Sequence, residues 1–60
     1  MAIEDLDKAI KLNSEYGEAY SLRGMAKCFK KDRKGGCADL RKAGELGYME
    51  AFEAIRQFCE

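Results

Sequence analysis

The chain has 60 residues, of which 47% are hydrophobic and 37% are charged, with 11 basic and 11 acidic side chains. A chain of this length holds one small domain, and its balanced charge is typical of neither a nucleic-acid-binding nor a membrane-binding protein. No apolar run approaches the ~18 residues of a membrane span, and the N-terminus carries no signal segment, so a cytoplasmic location is the default expectation.

Apolar residues recur at three- and four-residue steps along the whole chain, which predicts amphipathic helices and no strand. The expected helices are 2–12, 17–30, a third helix that ends at Leu46, and 49–59. Ser14 is a candidate N-cap for the second helix. Gly47 is expected to adopt the left-handed conformation that ends many helices, with Tyr48 making the accompanying apolar contact. The sequence therefore predicts an all-α domain of four short helices.

The chain also contains an internal repeat. DLDKAIKL at 5–12 matches DLRKAGEL at 39–46 at five of eight positions, with an offset of 34 residues. The chain resembles the tetratricopeptide-repeat (TPR) family, whose units are antiparallel helical hairpins of this period stacked into a right-handed solenoid. The resemblance implies that 1–13 is the second helix of one repeat, that 17–47 is a complete repeat, and that 48–60 is a C-terminal capping helix.

The same resemblance assigns packing roles to several residues. Small residues of the two helices of a repeat touch each other in this family, and here they would be Gly24 and Gly36. Tyr20, Leu40 and Ala43 match the core positions of the family. Lys31 departs from the pattern because it stands where the turn glycine is usual.

In TPR proteins the first helices line a concave surface that holds peptides or partner helices. The residues that the resemblance places on this face are Glu18, Ser21, Met25, Cys28, Phe29, Phe52, Ile55 and Cys59. Lys and Asn, which clamp carboxylate tails in some members, are missing from these positions, and only Arg56 resembles a clamp residue. We therefore expect an apolar groove that suits a helix or a hydrophobic peptide. The alternative is that the aromatic residues pack the last helix onto the hairpin, which is favoured for Phe58 and left open for Phe52.

The chain has three cysteines and no histidine. This set predicts no zinc site, no other metal or cofactor, and no nucleophile–base pair, so we expect no enzymatic activity. The favoured expectation is reduced, partly buried thiols. A bridge between Cys37 and Cys59 stays open, provided that their Cα atoms approach within about 7 Å. Neighbouring lysines would lower the pKa of Cys28 if it were exposed, but a helix-face cysteine beside a basic turn is the favoured interpretation.

A basic run spans Lys27 to Lys34, with five cations and one aspartate. The chain lacks the overall basicity of a nucleic-acid site, so a solvated helix end is favoured over a phosphate or nucleic-acid site. The function predicted for the chain is a non-enzymatic protein-interaction module for a protein or peptide ligand. The alternative is a self-assembling homodimer, in which a second copy covers Ile3, Leu6 and Ile10 of an unpaired first helix. A redox-active thiol protein is a third and more distant hypothesis.

Overall fold

The computed structural model describes residues 3–59, and these residues form four helices. The helices are α1 (Ile3–Leu12), α2 (Gly17–Phe29), α3 (Arg33–Glu45) and α4 (Glu50–Cys59). The all-α prediction is confirmed. Every predicted helix end that lies within the described residues is within one residue of the observed end. The expected start of α1 at Ala2, and positions 1 and 60 of the expected repeat units, lie outside the described residues. Between residues 3 and 59, no helix is long and apolar enough to cross a membrane.

The turn before α2 differs from the prediction. Asn13 accepts a hydrogen bond at its Oδ1 from the backbone N–H of Glu15, which closes a turn directly after α1. Tyr16, not Ser14, occupies the N-cap position of α2, and its side chain makes no capping hydrogen bond. The prediction that Ser14 is the N-cap of α2 is therefore wrong, because the chain needs two further residues to turn before α2 begins.

The turn between α2 and α3 is short and well bonded. The backbone N–H of Asp32 donates to the carbonyl of Lys27, and that of Lys31 donates to the carbonyl of Cys28. This is the Schellman pattern of a helix C-terminus, which requires a left-handed residue, and Lys31 adopts it with φ of 68°. The carboxylate of Asp32 then caps α3 by accepting from the N–H of Gly35.

The C-terminus of α3 has the same Schellman pattern, and here glycine, the residue that the pattern favours, has the positive φ. Gly47 has φ of +92°, as predicted from its place after the helix. The N–H of Tyr48 donates to the carbonyl of Ala43, and the N–H of Gly47 donates to that of Gly44. This turn reverses the chain and sets the start of α4 against the end of α3.

Neighbouring helices pack in antiparallel pairs. Along α2 the contact positions rise from Gly17 to Gly24, while the α3 residues that they meet fall from Ala43 to Gly36. α2 contacts all three other helices, whereas α1 and α3 share no packing contact within residues 3–59. Leu40 on α3 is the largest of the fully buried side chains among the described residues.

The α2–α3 crossing is close because glycines face each other. A Cβ atom on Gly24 would lie 2.6 Å from the carbonyl oxygen of Gly36 and 2.8 Å from the Cγ of Leu40. A Cβ atom on Gly36 would collide with the sulfur of Cys28 and would lie 2.5 Å from the carbonyl oxygen of Gly24. Both glycines are therefore needed for backbones to approach at this distance.

The homodimer hypothesis requires an unpaired first helix, but α1 packs against α2. Leu6 is 3% exposed and Ile10 is 9% exposed, and both cluster with Ala19 of α2. The expectation that α1 presents these two residues to a second copy is wrong, because α2 already covers them. The side chain of Ile3 lies outside the described part of the structure.

A disulfide joins Cys37 of α3 to Cys59 of α4, with their Cα atoms 5.9 Å apart. The favoured expectation of free thiols is therefore wrong for these two residues, while Cys28 is free. The bond links the last residue of α4 to α3. Near the start of α4, the ring of Phe52 lies over Gly44 of α3. α4 is thus held to α3 along most of its length.

Candidate functional site

The main candidate site is a cleft of about 300 Å³ between α2 and α4. It is lined by Ser21, Met25, Tyr48, Glu50, Glu53, Ala54 and Gln57. Ser21 and Met25 are four residues apart on α2, so they lie on one face of that helix. The α4 residues follow the same spacing, and their shared face forms the opposite wall. We refer to this site as the α2–α4 cleft.

Packing against α3 explains why the cleft exists. α2 and α4 both pack on α3, and they contact each other over a smaller surface than either shares with α3. A groove therefore remains between them. At the turn end of the cleft, Tyr48 approaches α2 closely, because a Cβ atom on Gly17 would lie 3.0 Å from the Cβ of Tyr48. At the other end of α4 the disulfide prevents the helix from moving away from α3.

The walls of the cleft carry negative charge. Glu50 and Glu53 are exposed, and no lysine or arginine is among the lining residues. The hydroxyl of Tyr48 donates to the Oε2 of Glu50 at 3.0 Å, which orients this carboxylate. The pKa of Tyr48 is raised by this hydrogen bond and then by burial and by the charges of Glu50 and Glu18.

The floor of the cleft is polar at one point. Ser21 is only 2% exposed, yet it lines the cleft. Among residues 3–59, no buried side-chain nitrogen or oxygen atom lacks a hydrogen-bond partner. Met25 lies one turn further along α2 and is partly buried, so it adds an adaptable apolar surface beside this hydroxyl.

The residues expected on a concave face do not all meet in this cleft. Ser21 and Met25 line it, and Glu18 contributes to the potential at Tyr48. Phe29 instead packs edge to face with Phe58, with ring centroids 5.4 Å apart.

The remaining expected groove residues also face other parts of the fold. Phe52 lies against Gly44 of α3, the thiol of Cys28 faces Gly36, and Cys59 is in the disulfide. Ile55 is partly buried and does not line the cleft. Of the expected residues, Ser21 and Met25 thus line this cleft, whose α4 wall carries Glu50 and Glu53, whereas the aromatic ring that α4 turns toward α2 is that of Phe58.

A second polar cluster lies on the opposite side of α2 and was missed by sequence reasoning. The guanidinium of Arg23 forms two hydrogen bonds to Asp39, both 2.8 Å long, and a third of 2.6 Å to Asp7. Lys27 approaches Asp39 at 3.2 Å, and the guanidinium lies 5.4 Å from the centroid of the Tyr20 ring. The signal in the sequence was an aspartate beside the core residue Leu40.

The environment of this cluster favours the charged forms. Burial acts to raise the pKa of Asp39, but the hydrogen bonds and positive charges of Arg23 and Lys27 outweigh it and hold the pKa below its ordinary value. The hydrogen bond with Asp39 likewise raises the pKa of Arg23, against the opposing effect of burial. The cluster links α1, α2 and α3, and its charges satisfy one another, so we assign it to stability and not to binding.

The remaining candidates are the basic turn and the free thiol. Lys30, Lys31, Arg33 and Lys34 are exposed around the Asp32 cap. Burial raises the pKa of Cys28 despite the opposing charge of Arg33. The thiol is therefore less reactive than an exposed thiol beside cations would be. Within residues 3–59 no group of three or more His, Cys, Asp or Glu side chains is arranged to hold a metal ion.

No protein-family model, curated protein or solved structure was found to match this chain, so its function has to be inferred from its own residues and contacts.

Proposed function

We propose that the chain is a protein-interaction module of the tetratricopeptide-repeat kind, which binds a peptide or partner helix in the α2–α4 cleft. The observation that carries this proposal is the cleft itself, an open groove of about 300 Å³ between two helices that are both supported from behind by α3. Clefts between packed helices are common places for ligands to bind.

The repeat arrangement is supported by equivalent contacts at two places in the chain. Ala19 and Ala51, which occupy matching places in the segments GEAY and MEAF, are 2% and 0% exposed. Tyr20, which follows Ala19, packs against a cluster that includes Ile10. Phe52, which follows Ala51, packs against Gly44. Gly44 is the repeat equivalent of Ile10, because the two positions are 34 residues apart. Successive helix pairs therefore use the same positions to contact each other.

The mechanism of such a module is the presentation of a surface that is already formed. α4 is held by the disulfide, by the contact of Phe52 with Gly44, and by the turn at Gly47. A ligand that enters the cleft then does not have to order the protein, which removes part of the entropic cost of binding.

A selection experiment tests this function. Peptides are selected by phage display against the oxidised, folded protein and are then titrated into ¹⁵N-labelled protein to map the amide shifts. Two variants locate the site: Gln57→Trp places a large ring in the cleft, and Arg56→Trp places the same ring on an adjacent exposed position that does not line it. We expect shifts centred on Ser21, Met25 and Ala54, and binding that is lost in Gln57→Trp but retained in Arg56→Trp.

The opposite pattern would reject the proposed site. If the selected peptides bind both tryptophan variants as well as the wild type, or shift amides of α1 and the basic turn instead, the cleft does not bind them. Circular dichroism of each variant establishes that the helices are intact, so a lost interaction can be assigned to the site and not to unfolding.

A further inference from the structure

The free thiol of Cys28 on α2 lies beside one half of the disulfide. A Cβ atom on Gly36 of α3 would collide with the sulfur of Cys28 and would lie 3.0 Å from its backbone nitrogen. Gly36 directly precedes Cys37, which forms the disulfide with Cys59. The close crossing of α2 and α3 therefore brings the thiol of Cys28 against the chain segment that holds Cys37.

A second contact places the other half of the disulfide at the same end of α2. Phe29 packs edge to face with Phe58 of α4, and the ring centroids are 5.4 Å apart. The first ring belongs to the residue after Cys28, and the second belongs to the residue before Cys59. The free thiol and both bridged cysteines are therefore gathered at one end of the fold.

This grouping allows exchange of the disulfide within one molecule. In this step the thiolate of Cys28 attacks the sulfur of Cys37, a bond forms between these two atoms, and the bond from Cys37 to Cys59 breaks. Cys28 gives its proton to water, and the departing thiolate of Cys59 takes a proton from water. One disulfide and one thiol are present before and after the step, so it needs no oxidant or reductant.

The new bond would require little movement of α2 and α3. A disulfide needs Cα atoms within about 7 Å of each other, and these two helices already share the most extensive packing contact among the four. The step is slow, because burial raises the pKa of the Cys28 thiol and keeps the attacking thiolate scarce. The exchange is therefore accessible in geometry and limited in rate.

The exchange would remove the covalent support of α4. Cys59 is the last residue of α4, and Gln57, two residues earlier, lines the α2–α4 cleft. Without the bond, noncovalent contacts such as that between Phe58 and Phe29 hold this end of α4. α4 also packs on α3 over a smaller surface than α2 does. Loss of the bond therefore loosens the α4 wall of the cleft.

We propose that the three cysteines form a disulfide switch that controls the α2–α4 cleft. In the form seen in the structure, the bond between Cys37 and Cys59 holds α4 on α3, and the cleft is already formed. In the exchanged form, a bond between Cys28 and Cys37 joins α2 to α3, and a ligand has to order the released α4 when it binds. This inference rests on the proposed function, since it names the regulation of the same cleft.

Peptide mapping tests the exchange, because cleavage after lysine and arginine places each cysteine in a separate peptide. These peptides are CFK with Cys28, GGCADLR with Cys37 and QFCE with Cys59. The oxidised protein is incubated at mildly alkaline pH without a reductant, its thiols are blocked with N-ethylmaleimide, and the digest is analysed by mass spectrometry. We expect GGCADLR linked at first to QFCE and then increasingly to CFK, at a rate that does not depend on protein concentration.

Two variants hold the two forms apart. Cys28→Ser can form only the original bond, and Cys59→Ser can form only the bond between Cys28 and Cys37, so each retains one disulfide. Hydrogen exchange of the oxidised monomers measures how firmly α4 is held. We expect the amides of α4 to be protected in Cys28→Ser and to lose most of this protection in Cys59→Ser, while the amides of α3 stay protected in both.

Several results would overturn the switch. These are the absence of linked CFK and GGCADLR from the wild-type digest, a linkage that appears only in disulfide-bonded dimers, and equal protection of α4 in the two variants. Linkage of CFK to QFCE would also overturn it, since that bond would hold α4 to α2 and would not release it.

Failure of the switch can be distinguished from failure of the proposed function, because mapping and hydrogen exchange need no ligand. A display-selected peptide should bind oxidised Cys28→Ser at least as tightly as the wild type, and it should bind oxidised Cys59→Ser more weakly. Equal binding by the two variants would reject control of the cleft and leave the interaction module standing. If no selected peptide binds the cleft in any form, the proposed function is wrong, and with it the control of binding.

Discussion

The guanidinium of Arg23 in α2 is joined to the carboxylate of Asp39 in α3 by two hydrogen bonds of 2.8 Å, one from Nε and one from Nη2. This paired geometry fixes the rotation of the two helices relative to each other as well as their distance. The side chains are 18% and 10% exposed, so water screens the pair only in part. The consequences of removing it can be measured directly.

Replacement of Arg23 by glutamine should destabilise the fold, because Asp39 would be left largely buried without its main partner. We expect the free energy of unfolding to fall by about 2 kcal/mol, within the range for hydrogen bonds to charged groups. Urea unfolding followed by circular dichroism measures the change. The matched control is Arg41→Gln, an exposed arginine on α3, which should stay within about 0.5 kcal/mol of the wild type. Equal effects of the two substitutions would show that the pair contributes nothing specific.

The same pair predicts how stability depends on pH. The pKa of Asp39 is lower in the folded chain than its ordinary value, so the folded state favours the ionised form. Its contribution is therefore complete above the unfolded-state pKa of about 3.9 and is lost as pH falls through the folded-state value.

Urea unfolding of the wild type and of Asp39→Asn across the acidic range measures this contribution. The wild type should be the more stable protein near neutral pH, and the difference should narrow as the solution is acidified. A difference that is constant from neutral to acidic pH would contradict the assignment.

Gly24 should not tolerate a methyl group. Alanine is the better helix former by about 1 kcal/mol, but its Cβ would meet the backbone of Gly36, which cannot move without separating the helices. We expect Gly24→Ala to lower the free energy of unfolding by about 1–3 kcal/mol, as overpacked cores do.

Gly44→Ala provides the control for this substitution. The added Cβ would there meet the ring of Phe52, at 2.9 Å from its Cζ, and this side chain is 47% exposed. The ring is free to rotate away, so the loss should be under about 1 kcal/mol after the gain in helix propensity. A larger loss at Gly44 than at Gly24 would mean that the α2–α3 crossing is less tightly packed than the α3–α4 contact.

Lys31 offers the reverse case, a position where glycine should improve the protein. Its φ of 68° is a conformation that costs a residue with a side chain roughly 1–2 kcal/mol. Lys31→Gly removes this cost, and after the entropy that glycine adds to the unfolded chain we expect a gain of about 0.5–1 kcal/mol. Lys30→Gly has the same charge change at a residue with φ of −89° and should be destabilising. Thermal unfolding of both variants distinguishes the effect of backbone conformation from that of charge.

Reduction of the Cys37–Cys59 bond should weaken the fold. A cross-link across 22 residues removes conformations from the unfolded chain and is worth about 3 kcal/mol. We expect a reducing agent to lower the unfolding midpoint of the wild type and to have no effect on a Cys37→Ala/Cys59→Ala variant. Alkylation followed by mass spectrometry should label one thiol in the oxidised protein and three after reduction, since Cys28 is free. Three labelled thiols without a reducing agent would show that the bond does not form.

Apolar periodicity and turn chemistry were sufficient to predict the four helices and the left-handed conformation of Gly47, since these features depend on residues that are close in sequence. The facing of Gly24 and Gly36 came from the resemblance to a repeat family, and the structure places these residues in contact. The conformation of Lys31 could not be predicted from its residue type, because lysine has no preference for positive φ.

The composition of the cleft could not be predicted, because it depends on how α4 is rotated about its own axis. Phe52 and Glu53 are adjacent in sequence and lie about 100° apart around the helix axis, so the rotation of α4 decides which of them faces α2. The disulfide and the contact between Phe52 and Gly44 set that rotation, and both are long-range features. Arg23 and Asp39 were missed for the same reason, since they are separated along the chain and their partnership appears only when α2 and α3 are antiparallel.

The disulfide also makes the two ends of the chain differ in how they are held. It encloses α3 and α4, whereas α1 is held by its packing on α2 and by the ion pair between Asp7 and Arg23. Opening of α1 therefore breaks no covalent constraint and exposes only the small cluster around Leu6 and Ile10. Amide hydrogens of α1 should exchange fastest and those of α3 slowest, so that the oxidised protein unfolds from its N-terminal helix while the supporting wall of the cleft is the last part to open.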